Sequence, residues 1–223
     1  MALGKALRAF VALLGCLLLS SCAKGPGGLP YDAWRLGMFV PDYMDAWVET
    51  VGVIDIQGRG FPHVLSGVPS SIHPDSTEGD ATGWPGRPGW GAGKYIPGAA
   101  LPLMIIVRWQ SLAEPQTYEA LIPIPETTRQ QMKVRERNTC TTTGIGKPVD
   151  GYRRAITIGL APGGIVKAWV TGVCVTPIEI TRVQAHIKAL GPDQGRSGGQ
   201  YALPLMPNSK AYIEKNGIPY GSW

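Results

Sequence analysis

Beyond its first two dozen residues this chain has no long apolar run. The longest, Ala99 to Val107, is nine residues and is broken by Pro102, whereas a membrane-crossing helix needs about twenty. Histidine is scarce. Of the three present, His63, His73 and His186, no two stand at a metal-ligand spacing such as i, i+4, and no Cys pair accompanies them. The sequence therefore carries no zinc signature, and no metal or cofactor is expected. There is no run of five or more Lys and Arg, which removes the usual footprint of a nucleic-acid binder. Strands do not alternate with helical patterns, which excludes a nucleotide-binding parallel α/β sheet, and there is no internal repeat.

What is present begins at the N-terminus. Lys5 and Arg8 form a basic start, Ala9 to Leu19 an eleven-residue apolar segment, and Leu19-Ser20-Ser21-Cys22 ends it. A basic region, a short apolar region and small residues before a cut describe a secretory signal. The Leu–small–small–Cys pattern resembles the lipobox of bacterial lipoproteins. That resemblance implies that Cys22 becomes the mature N-terminus and is acylated, with the protein held at the cell envelope, facing the periplasm. Ala23 stands where an Asp retains such proteins at the inner membrane, so the outer membrane is the expected side. Each buried acyl methylene contributes about 0.8 kcal/mol, and several chains anchor firmly.

Cleavage divides the chain into a signal peptide (1–21), a flexible tether (22–30; Ala23 to Pro30 reads AKGPGGLP) and a single β-rich domain (31–223). Removing Lys5 and Arg8 from 21 basic residues leaves 19 against 16 acids, a net charge of +3. That is too weak to argue for nucleic acid. Cys16 is discarded and Cys22 lipidated, which leaves Cys140 and Cys174. In an oxidising compartment these read as one disulfide; the alternative is two buried thiols that never meet.

β-type patterns dominate. Trp34 to Val40, Trp47 to Ile56 and Leu103 to Trp109 read as strands. Gln116 to Ile124 alternates, with Tyr118, Ala120, Ile122 and Ile124 on one side, and Tyr152 to Leu160 alternates with Ile156, Ile158 and Leu160 on one side. Ala161-Pro162-Gly163-Gly164 reads as a hairpin loop into Ile165 to Val175. Pro177 to Leu190 fits a strand or a helix. Two short helices are predicted, over Pro125 to Glu136 and over Asn208 to Asn216, the latter with Asn208 as N-cap and Gly217 as C′ residue. The expected fold is mainly β, an antiparallel β-sandwich or open barrel with two short helices and one long Gly/Pro/Trp loop.

That loop, Pro74 to Gly98, holds seven Gly and four Pro. A loop so long inside a compact domain is usually functional or disordered. Its Trp84, Arg87, Trp90, Lys94 and Tyr95 are the candidate partner interface, because Trp and Arg are frequent interface anchors. The competing reading folds Trp84 and Trp90 back over the sheet. Other motifs carry less. Gly195-Arg196-Ser197-Gly198-Gly199 matches G-x-S-x-G but lacks the strand before and the helix after that a nucleophile elbow requires. Thr143 to Pro148 has Pro where a phosphate loop needs Ser or Thr. His63 and His73 flank a Ser/Pro loop near Asp75 and read as surface histidines, and Asp42 with Asp45 reads as a solvated acidic turn. No catalytic residue is expected, and the chain does not read as an enzyme.

Four phrases stand in order: Tyr31 to Gly37, Val107 to Glu119, Ile158 to Gly164, and Tyr212 to Trp223. On them the chain resembles a proteobacterial lipoprotein family of the domain-of-unknown-function class, common in Pseudomonas-type bacteria. The family has no defined catalytic residues. Some lipoproteins of this kind are encoded beside type VI secretion effectors, phospholipases among them. The resemblance thus implies an immunity protein that binds a secreted effector at the membrane. The alternative is a structural or ligand-binding envelope lipoprotein with no toxin partner.

Overall fold

The computed structural model describes residues 25–71, 76–140, 146 and 148–223. The signal segment, Cys22, His73, Asp75 and most of the loop at 143–148 lie outside the described residues. Two five-stranded sheets face each other. The first has the order β11 (Ile178–Gln184), β10 (Ile165–Thr171), β9 (Ala155–Ala161), β1 (Ala33–Phe39), β4 (Ala92–Pro97). The second has β12 (His186–Ile187), β6 (Gln116–Pro123), β5 (Pro102–Ser111), β2 (Ala46–Asp55), β3 (Gly60–Gly67). A separate ribbon pairs β7 (Arg135–Thr139) with β8 (Pro148–Tyr152). All pairings are antiparallel except β1 with β9. This is a mainly β, sandwich-like fold with no closed barrel.

Alternation builds the core. Trp34, Leu36 and Met38 of β1, Ile105, Val107 and Trp109 of β5, Tyr118, Ala120 and Ile122 of β6, and Ile156, Ile158 and Leu160 of β9 all point between the sheets and are buried. Full burial of such a side chain is worth about 1.5–3 kcal/mol. In β2 the inward set changes parity, from Ala46 and Val48 to Val51 and Val53. A register shift between Val48 and Thr50 explains it: a bulge inserts one residue, and every later side chain changes face. The displaced Glu49 accepts hydrogen bonds from Gln110 Nε2 at 2.9 Å and from the Asp193 backbone at 2.6 Å.

Several sequence expectations need correction. Pro177 to Leu190 takes the strand alternative, with strand at 178–184 and 186–187, and at Ala185 the chain crosses from the first sheet (β11) to the second (β12). The predicted helix over 125–136 is only α1 (Glu126–Gln131), since Arg135 onward pairs as β7. The second helix, α2, is Pro207–Asn216. Pro207 occupies its first turn, Met206 is the N-cap residue in place of Asn208, and Gly217 ends it at φ 75°. The long loop contains a strand, because 92–97 pairs with β1 as β4.

Within residues 25–30, part of the expected tether, Gly27, Gly28 and Pro30 are exposed but Leu29 is buried. Pro26–Gly28 form a tight turn closed by the Gly25 N–H on the Leu29 carbonyl at 2.9 Å, and Leu29 is 1% exposed in the core. One end of the sandwich therefore gathers residues 25–31, the β2–β3 turn, the β4–β5 connection and α1; we call it the near end. At the far end Tyr43, Ala81, Ala113, Ala161, Tyr212 and Trp223 form a second buried cluster. No helix among the described residues is long and apolar enough to cross a membrane.

Candidate functional site

Strand β9 is buried on both faces, which alternation alone does not produce. Its inner face is core. Its outer face lies under residues 76–91, a strap laid across the first sheet. The register places Phe39, Gly37 and Arg35 of β1 beside Gly159, Thr157 and Ala155 of β9, so this face is lined by small residues at its centre. Trp84 rests there. A Cβ added to Gly159 would stand 2.4 Å from its ring. The Trp90 carbonyl lies over Gly37, where an added Cβ would come within 1.8 Å. Glycine at these two positions is what lets the strap lie flat.

Each length of the strap has its own fastening. Tyr43 hydroxyl donates to the Ser76 carbonyl at 2.7 Å and accepts from the Gly79 N–H at 3.0 Å. Tyr43 stacks on Tyr212 with centroids 4.0 Å apart. Ala81 is held on both sides: its N–H donates to Tyr212 Oη at 3.2 Å and its carbonyl accepts Trp223 Nε1 at 3.0 Å. Trp84 meets Phe39 and Trp169, each with centroids 5.5 Å away. The far side is clipped by Arg35, whose guanidinium donates to the Trp90 carbonyl, to Gly91 O at 2.8 Å and to Gly93 O at 3.3 Å, and lies 5.6 Å from the centre of the Trp90 ring. Burial lowers the basicity of Arg35 and neighbouring Tyr95 opposes that shift; the guanidinium stays charged.

Between Trp84 and Trp90 the strap holds Arg87 exposed, with a cleft on either side. One, of about 480 Å³, is lined by Asp42, Ser70, Ser71, Asp80, Trp84 and Arg87 among others. The second, of about 450 Å³, runs from Arg87 and Trp90 to Thr171, Cys174 and Thr176. Both are within the size range of small-ligand sites. Hydrogen bonds from the backbone and hydroxyl of Thr82 hold the Asp80 carboxyl below its ordinary pKa, and Asp80 and Arg87 both line the first cleft. Among the described residues neither lining includes a histidine. Among the described residues no three His, Cys, Asp or Glu are grouped to hold a metal ion.

The five residues expected as an interface are partly brought together. Trp84, Arg87 and Trp90 share the strap. Trp84 is the floor of the arrangement rather than an exposed anchor, and its Nε1 is buried without a hydrogen-bond partner. Tyr95 lies on β4 opposite Arg35, on the same outer face, under the guanidinium of Arg154 at 5.3 Å. Lys94 is separated from them: it pairs with Leu36, takes the other face of β4 and lines a groove against residues 65–69.

Elsewhere, Cys140 and Cys174 form a disulfide with Cα atoms 5.0 Å apart. Ser197 lies in a turn after a 3-10 segment, donating to the Pro192 carbonyl. His63 meets Thr50 on the surface of the second sheet at 2.8 Å. The Asp42/Asp45 turn is not solvated throughout: Asp45 is 6% exposed and accepts the Met206 N–H at 3.0 Å. Sequence reasoning missed Arg35, Phe39, Lys167 and Trp169. It also missed Glu114, which accepts Tyr118 and Tyr220 hydroxyls at 2.9 and 2.7 Å and the Gly163 N–H at 2.8 Å. Burial first, then this acceptor, pushes the Tyr220 pKa up to about 12. The one signal available was Gly159, a glycine inside a strong strand pattern.

The arrangement defines a β-sandwich with one outer face strapped and cleft-bearing. The chain belongs to the family described as Protein of unknown function (DUF2931), which matches residues 20–221. No curated protein and no solved structure matches it.

Proposed function

We propose that this protein is a proteobacterial envelope lipoprotein that works as a binding module, held by lipid on Cys22 and facing the periplasm, and that it is an immunity protein neutralising a type VI secretion effector such as a phospholipase. The observation that carries the binding role is the strap. A Gly/Pro-rich segment fastened at both ends presents Arg87 between two clefts on an otherwise closed sheet. That is rigid support for a protruding cation, the economical way to make an interface anchor. The lipid would place this surface at the membrane an effector attacks. Arg87 and the exposed edge of Trp90 are the contact residues, with Trp84 supporting them from beneath.

The test is co-expression with the effector encoded beside the gene. Protection of the host by the wild-type chain, and its loss with Arg87→Glu at unchanged protein level, is the expected result. Equal killing with and without the wild-type protein overturns the reading. The cleft volume of about 480 Å³ favours one alternative, a ligand-binding envelope lipoprotein. A deletion phenotype in monoculture, without attacking cells, would support that instead.

A further inference from the structure

The outer face of the second sheet is graded along its length. Cross-strand rows Ile54–Met104–Pro123 and Gly52–Ile106–Leu121 are apolar. The next row is Thr50–Arg108–Glu119, in which Glu119 takes Arg108 at 2.5 Å and Lys188 at 3.0 Å. Beyond it Glu49 and Gln110 hold residues 193–202 over the far half through the Asp193 and Ala202 N–H groups. Among the described residues that segment does not reach the near half, whose cross-strand rows are the apolar ones. Leu121 is 54% exposed, Leu103 47% and Ile56 40%. An apolar surface of this kind on a domain with a full core marks a contact.

Its position names the occupant. The near end is where the chain enters: Gly27 abuts Ala100, Ala100 N–H donates to Asp55 at 3.1 Å, and Ile56 N–H donates to Leu101 at 3.0 Å. Gly25 is pinned there by Leu29. Cys22 is three residues earlier, and three residues reach at most about 11 Å. A lipid on Cys22 therefore has no slack with which to hold the body away from its bilayer. We infer that the near half of this face, Ile54, Ile56, Leu103, Met104, Ile106 and Leu121, rests on the bilayer that carries the Cys22 lipid. Lys133 is exposed at the near end, where cations meet anionic headgroups; Arg59 borders it too, but its guanidinium is ion-paired with Asp55 at 2.7 Å. The strapped face belongs to the opposite sheet and is turned toward the periplasm. The inference rests on the lipid-anchor reading.

The experiment uses the lipidated chain in vesicles of phosphatidylethanolamine and phosphatidylglycerol. Leu121→Cys, Leu103→Cys and, on α2 at the far end, Lys210→Cys each receive an environment-sensitive dye. The native pair is in a disulfide and Cys22 is blocked by lipid, so only the new thiol reacts. The emission at 121 and 103 should shift to the blue and be quenched by doxyl-labelled lipid, with neither change at 210. A protein that incorporates palmitate and sediments with membranes, yet keeps 121 and 103 in water, overturns this proposal alone. Absence of palmitate at Cys22, with the chain in the soluble fraction, overturns the anchor reading and the proposal together. A concentration-dependent blue shift at 121 in a vesicle-free Cys22→Ser chain makes a second copy the occupant and also overturns it.

Discussion

Gly159 offers a direct measure of how firmly the strap is seated. It lies in ordinary strand geometry, paired with Lys167 and Phe39, so alanine there meets no backbone strain. The three atoms that a new Cβ would meet first all belong to the Trp84 ring, at 2.4, 2.8 and 3.0 Å. Overpacking of this kind costs about 1–3 kcal/mol. Gly→Ala in an extended segment returns about 0.5–1 kcal/mol through the unfolded chain. Gly159→Ala should therefore destabilise by up to about 2.5 kcal/mol. Trp84→Ala alone should cost about 2–4 kcal/mol, less than a fully buried indole because its ring edge is partly exposed. With Trp84 gone the obstacle is gone, so Gly159→Ala in that background should be neutral or slightly stabilising. Urea unfolding of the four proteins, with the disulfide intact, closes the double-mutant cycle; a coupling of about 1–3 kcal/mol is expected. Hydrogen exchange over 84–91 should quicken in Gly159→Ala if the strap, rather than the sheet, gives way. An equal cost of Gly159→Ala in both backgrounds would refute the account of the strap as seated on a glycine.

Two further predictions concern the frame. Burial disfavours the Asp55 carboxylate, but the Arg59 side chain and the backbone N–H groups of Arg59, Gln57 and Ala100 outweigh it and lower its pKa from the ordinary 3.8. A depressed carboxylate stabilises the fold fully above its ordinary pKa and loses that contribution as pH falls through the folded value. Stability should therefore decline below about pH 4, and Asp55→Asn should cost about 1.5–3 kcal/mol at neutral pH while flattening that decline; an unaltered acid profile in the variant would count against it. The Cys140–Cys174 bond, at a separation of 34 residues, restricts the unfolded chain by about 4 kcal/mol in the loop-entropy picture. Unfolding with and without reductant should show a loss of that order, and no loss would show that the bond leaves the unfolded chain as free as before.

The strands legible in the sequence were those with one face in the core and a clear period of two. Tyr118, Ala120 and Ile122 of β6, and Ile124 just after it, are all buried as alternation requires. Three kinds of element were not legible. The β7–β8 ribbon is polar on both faces, so RERNT carries no periodic signal, and of the helix-like MKVRE the last two residues pair with β8 while Met132 to Val134 turn into it. β4 was concealed because its glycines look like loop, although Gly93 is glycine to allow close approach to the β1 backbone. The bulge in β2 cannot be read from composition, since an extra residue leaves no mark except a change of parity. The candidate site was half legible. Trp84, Arg87 and Trp90 stood out by type, but what seats them, Arg35, Gly37 and Gly159, comes from strands 47 or more residues away from part of the strap, and only pairing reveals it.

The two outer faces of the sandwich are treated differently, and the reason is visible in single residues. On the first sheet, small residues at Gly37, Thr157 and Gly159 leave room, and a strap fills it. On the second, the bulge at Glu49 and the amide of Gln110 supply acceptors for residues 193–202, but only at the far half. The near half has no acceptor pointing outward, only Ile54, Met104, Ile106 and Leu121. A segment lying there would find no side-chain acceptor of the kind that Glu49 and Gln110 offer to residues 193–202. A fluid apolar surface needs none. The apolar side chains at the near half are what the proposed bilayer contact requires, and under that proposal the strapped face would be the side open to a protein partner.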